Sequence, residues 1–154
     1  MKKLVLVLVA TLTFLSCEGP VGPPGPAGDP SVETQWKHIF FTVKQSDWAL
    51  VGGADQLNSY YEYIFDEPAI TDFIYKEGIV LGYLVVNSGT KDEALRPLPD
   101  SSPYGQDTNQ GESLWTEIIN YDYMPGSIAF YVRYNDFYTA TPPPTLRFKI
   151  SMLW

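Results

Sequence analysis

Four kinds of side chain in this sequence could do chemistry: one thiol, one imidazole, a surplus of carboxylates and an excess of aromatic rings. The imidazole is His38, set among apolar neighbours in Trp36-Lys-His-Ile-Phe-Phe-Thr-Val43. No Gly-x-Ser-x-Gly elbow, phosphate loop or His-Glu-x-x-His pairing accompanies it, so His38 reads as structural. Structural zinc is held by four nitrogen or sulfur ligands, which one histidine and one cysteine do not supply. The acids Asp92, Glu93, Asp100, Asp107 and Glu112 lack the Asp-x-Asp-x-Asp-Gly spacing of a calcium loop and read as a solvated acidic stretch. A carboxylate-dependent glycosidase would hold two acids about 5 Å or about 7–9 Å apart, which spacing along a chain does not fix. The reading is therefore of a protein without catalytic residues, metal or soluble cofactor. The rings are the better lead: flat faces stack on sugars or extended peptides, and Trp48, Tyr61, Tyr63, Trp115 and Tyr131 are the candidate binding residues. The competing use of the same rings is to fill the core and pair across strands.

The thiol, Cys17, follows Met-Lys-Lys and a charge-free run from Leu4 to Leu15, the layout of a secretory leader. That run is too short to cross a bilayer as a helix, which takes about 20 residues. It ends Phe14-Leu15-Ser16-Cys17, and a small residue before a cysteine at such a place resembles the lipobox of bacterial lipoproteins. The resemblance implies that the thiol takes a diacylglyceryl group, that residues 1–16 are removed, and that Cys17 becomes an acylated first residue. A thioether also accounts for a lone cysteine in an exported chain, where thiols otherwise pair. Each buried methylene of an acyl chain contributes roughly 0.8 kcal/mol, so two or more chains anchor stably.

Behind the cysteine, glycine recurs at 19, 22, 25 and 28 in Gly-Pro-Val-Gly-Pro-Pro-Gly-Pro-Ala-Gly-Asp-Pro30. Proline fixes φ near −65° and favours extended polyproline II, at about 3.1 Å per residue. Residues 17–31 therefore read as a lipidated, semi-rigid stalk. Three chains winding a collagen triple helix is the other use of such triplets.

The expected domain is 32–154. Loss of Lys2 and Lys3 with the leader leaves 8 basic against 18 acidic residues, a net charge of −10. Such a chain does not suit nucleic acid, and it repels anionic headgroups, so membrane contact should come through lipid alone. Alternation predicts strands over Trp36–Val43, Tyr60–Phe65, Ile79–Val86, Leu114–Tyr123, Ser127–Tyr134 and Leu146–Met152. Ile79–Val86, apolar throughout, should be buried on both faces. Thr71 and Asp72 suit the start of a short helix, with Ile70, Phe73 and Ile74 buried and Gly78 as its left-handed stop. Pro125-Gly126 fits the centre of a type II turn closing a hairpin. Residues 87–113 read as a long irregular loop. The sum is a mainly β fold: a single antiparallel β-sandwich with one short helix.

The lipid cysteine with its glycine–proline triplets, Ile70-Thr71, Gly78-Ile-Val80, Tyr83, Leu98-Pro99 and Arg147-Phe148 together resemble the short collagen-like lipoproteins of Bacteroidetes. Where that group often has aromatic residues around its Leu-Pro pair, this chain has Arg96 and Asp100. The resemblance implies a lipid-anchored protein of the cell envelope, outer membrane above all, on its periplasmic or surface face. The resemblance gives no activity; from the residues themselves the reading is a non-enzymatic surface or accessory interaction module, with a glycan- or peptide-binding module using exposed Tyr and Trp as the alternative.

Overall fold

The computed structural model describes residues 33–54, 56–108 and 111–154, of which Thr34–Trp154 form one compact unit. Cys17, the leader and the stalk lie outside the described residues. Nine strands are present among the described residues: β1 (Trp36–Val43), β2 (Ala49–Val51), β3 (Tyr60–Glu67), β4 (Ile79–Val86), β5 (Ala94–Pro97), β6 (Asp100–Thr108), β7 (Gly111–Met124), β8 (Gly126–Tyr134) and β9 (Leu146–Leu153). A 3₁₀ turn spans Gln45–Asp47, and the helix α1 spans Asp72–Glu77. The strands form two sheets, ordered β1-β9-β4-β5 and β2-β3-β8-β7-β6, with every pairing antiparallel. The sandwich expected from alternation is the fold.

Alternation decides which rings meet. Phe41 on β1 and Phe65 on β3 stack across the layers at 4.2 Å, 15° from parallel, and Phe130 on β8 meets Phe148 on β9 at 4.5 Å. Phe130 and Phe148 have no solvent exposure, and burying such a side chain is worth about 1.5–3 kcal/mol. Gly82 of β4 leaves room for the Tyr121 ring, to which an added Cβ would come within 3.0 Å, and the Tyr121 hydroxyl donates to the Val80 carbonyl at 3.0 Å.

Four local expectations are corrected. First, β4 is central but covered on both faces only toward its end: Ile79 and Leu81 are exposed on the outer face, whereas Val85 on that face is 5% exposed. Second, α1 starts as expected, with Thr71 Oγ1 accepting from the Ile74 N–H at 3.2 Å, but Phe73 points to solvent and only Ile70 and Ile74 are buried. Third, Gly78 has φ −94°, so its requirement is space: an added Cβ would lie 2.8 Å from the carbonyl oxygens of Ile74 and Leu153. Fourth, residues 87–113 are largely ordered as β5, β6 and the start of β7. The Pro125-Gly126 turn is present, with Met124 facing Ser127 and Gly126 at φ +90°.

Candidate functional site

Strand β7 is fourteen residues long, and its inward parity runs Ser113, Trp115, Glu117, Ile119, Tyr121, Tyr123. Ile119 is core, and Tyr121 and Tyr123 pack against the core. Trp115 and Glu117 share that face but lie where the opposing sheet leaves a cleft of about 510 Å³. Register brings their neighbours in: Tyr104 of β6 is the cross-strand partner of Trp115, and Glu117 sits between Ser102 of β6 and Tyr134 of β8. The opposite wall is Leu84–Asn87 of β4 and its following turn, Arg96 of β5, and Pro144 and Leu146. A second recess of about 370 Å³ shares Trp115, Tyr134 and Pro144 and adds Gln106, Ser113, Asp136 and Tyr138. Both volumes fall in the roughly 300–1,000 Å³ range of ligand sites.

Prolines stiffen one wall. Pro142, Pro143 and Pro144 lie between β8 and β9; Pro143 is fully buried, and the Pro142 carbonyl accepts from Gln45 Nε2 at 3.1 Å. The same segment is tied to β3, where the Tyr61 hydroxyl donates to the Thr139 carbonyl at 2.5 Å.

The electrostatics centre on Glu117. Burial pushes its carboxyl above the ordinary value, and the nearby Asp100 charge adds to this; hydrogen bonds from Tyr134 and Tyr104 act in the opposite direction. The Tyr134 hydroxyl is itself pushed up, first by burial and then by Glu117. Arg96 does not neutralise Glu117: its Nη1 donates to Asp100 Oδ2 and to Ser102 Oγ, each at 2.9 Å. No ion pair within 4.0 Å involves Glu117 among the described residues.

The five candidate rings do not form one strip. Trp115 is in the cleft. Trp48 and Tyr61 are core residues, 6% and 3% exposed, and as ligand contacts they are corrected here. Trp48 packs edge-on to Tyr63 and Phe148, and its Nε1 is buried without a hydrogen-bond partner. Tyr61 faces inward from β3 opposite Val132, so parity puts its ring between the sheets, where Trp48 joins the same core. Tyr63 is half-buried against that core. Tyr131 lies on the outer face of its sheet, its hydroxyl donating to Asp122 at 2.8–2.9 Å and its ring 5.7 Å from Tyr60. Tyr104 and Glu117 are the residues that sequence reasoning missed. The available signal was Trp115-x-Glu117-x-Ile119, an acid at an inward position of an otherwise apolar face.

His38 stands on the outer face of β1, 4.6 Å from the Trp36 ring and with Nδ1 3.0 Å from Ser151 Oγ. Ser151 has outward parity yet is 4% exposed. No group of three or more metal-ligating side chains occurs among the described residues, and no described helix is long and apolar enough to cross a membrane. No protein-family model, curated protein or solved structure matches this chain.

Proposed function

We propose that this protein is a lipid-anchored, non-enzymatic module of the bacterial cell envelope, held at the outer membrane through Cys17, that binds a glycan in the Trp115 cleft. The observation that carries the binding role is one pair of rings. Tyr104 and Trp115 stack 5.9 Å apart and 18° from parallel, cross-strand partners at the cleft. Near-parallel rings offer an apolar floor to the C–H face of a sugar, while Glu117, Gln106, Ser113 and Asp136 supply hydrogen-bonding groups around it.

Two further features support the reading. Asp100 accepts from Arg96 and Ser102, so of the two acids only Glu117 keeps an unpaired charge, and the cleft does not present a free opposed pair. The cleft also lies far from where the chain enters the sandwich: β9 contributes Leu146 to the cleft and pairs Leu153 with Trp36 at its other end. Seven strand steps of about 3.3 Å separate those ends by roughly 23 Å. A site remote from the tethered end is free to meet a ligand.

A glycan array probed with the full chain and with Trp115→Ala tests this. Binding to a defined set of glycans that the variant loses is the expected result. A blank array with wild-type protein would end the glycan reading.

A further inference from the structure

Glu117 is a carboxylate walled by aromatic rings and lacking a cation. It lines the same cavity as Tyr104, Trp115 and Tyr134, and two of those tyrosines donate to it. A carboxylate offers about four acceptor positions, so two hydrogen bonds leave room for more. Among the described residues that line the cleft the one cation is Arg96, and it is committed to Asp100 and Ser102. Asp136, in the adjoining recess, adds a second acid, and the whole chain carries a net charge of −8.

These surroundings favour one kind of group. A neutral hydroxyl would satisfy an acceptor of Glu117 but leave its charge partly desolvated and unpaired, which is costly. An ammonium would pair with the charge through a short, charge-assisted hydrogen bond. It would also lie among the rings that line the cleft, Trp115 and the tyrosines, where cation–π attraction adds roughly 0.5–2 kcal/mol, tryptophan being the strongest partner. We infer that the sugar bound in this cleft is an amino sugar with a free amine, its ammonium seated against Glu117 and its ring stacked on Trp115.

This rests on the glycan reading and narrows it to de-N-acetylated hexosamines. An N-acetyl group at the same carbon removes the charge and leaves a single neutral N–H donor, with an acetyl group to be accommodated beside it. The upward displacement of the Glu117 carboxyl by burial fits the same picture, since a cation close by favours the ionised form and would draw it back down. The groups facing Glu117 are Tyr104 and Asp100 from β6 and Tyr134 from β8; Arg96 of β5 faces Tyr104 and Asp100 instead.

The test is calorimetric titration of the full chain at neutral pH with three β-1,4-linked trimers: glucosamine, N-acetylglucosamine and the neutral glucose trimer. The glucosamine trimer should bind at least tenfold more tightly than either of the others. Glu117→Gln should reduce that preference to under about threefold, while Glu112→Gln, the same charge change at an exposed place on the same strand, should leave it intact. Trp115→Ala should weaken all three trimers together.

If the neutral trimers bind as tightly as the amine and still depend on Trp115, the amino-sugar inference falls and the glycan reading stands. If the preference survives Glu117→Gln, or is lost equally in Glu112→Gln, the seat assigned to the ammonium is wrong. If no trimer binds, the amino-sugar inference falls, and the glycan array alone decides the glycan reading. Should Glu117→Gln not fold, the wild-type comparison among the three trimers decides alone.

Discussion

Tyr104 and Trp115 are cross-strand partners whose rings lie 18° from parallel, on a stretch of sheet that the opposing layer does not seal. A few residues further along the same strand, Tyr121 and Tyr123 have the same parity and pack against the core. One strand therefore serves two purposes along its length, with the change at Glu117. The polar face of β6 follows from this: an edge strand bordering a cleft has no core to fill.

The membrane anchor makes the simplest prediction. Cells labelled with palmitate should yield a labelled wild-type protein in the membrane fraction, and Cys17→Ala should lose both label and fractionation. A Cys17→Ala protein that stays in the membrane would overturn the anchoring proposal.

Core packing predicts a large loss at one ring. Phe148 is fully buried and touches Phe41, Phe130 and Trp48 at centroid distances of 5.7, 4.5 and 6.3 Å. Phe148→Ala should cost about 3–5 kcal/mol, read from the urea midpoint at unchanged slope. A cost under about 1 kcal/mol would mean that the layers close over the gap.

The Lys37–Glu67 pair should respond unequally to its two deletions. Lys37 Nζ donates to Glu67 Oε1 at 2.9 Å, but the lysine side chain is 43% exposed and the glutamate only 9%. The same oxygen also accepts from the Ala69 N–H at 2.9 Å. Lys37→Met should cost less than about 1 kcal/mol, whereas Glu67→Leu leaves that N–H without its acceptor and should cost about 1–3 kcal/mol. Equal losses in chemical denaturation would show that the ion pair alone matters.

Glu117 predicts a pH dependence with a definite sign. Its folded carboxyl titrates above its ordinary value near 4.5, so the protonated form favours folding. That contribution is complete below pH 4.5 and is lost as pH rises through the folded value. Tyr104 and Tyr134, both pushed above 10, stay protonated throughout this window, while Asp100 adds to the upward displacement. Relative to Glu117→Gln, wild-type stability should therefore fall between pH 4 and pH 8. A difference that stays flat, or rises, would place the Glu117 carboxyl at or below its ordinary range.

Much of the fold was legible because apolar alternation is a direct imprint of burial on one face. Trp36–Val43 and Leu146–Met152 show this, since each faces a core along its length. Asp100–Thr108 did not announce itself as a strand, because an edge strand bordering a cleft is free to be polar and to carry Pro103 and Gly105. Ile79–Val86 misled at its start, where Ile79 and Leu81 are exposed, although Val85 further along the same face is buried. The site was legible only at Trp115. Tyr104 and Glu117 join it through strand pairing, and register between β6, β7 and β8 depends on contacts far apart in the chain. Trp48 and Tyr61 misled because a buried ring and a binding ring look alike in one dimension.

The way the chain enters the sandwich has a mechanical consequence. Gln35 and Trp154 exchange two backbone hydrogen bonds, of 2.7 and 3.0 Å, at the start of the β1–β9 ladder, and the cleft lies beyond its other end. Tension applied at Thr34 and resisted by a bound polymer therefore runs along β1, loading its rungs together in shear. An unzipping geometry would break those rungs singly. A ladder loaded in this way resists a pull along its length better than one across it.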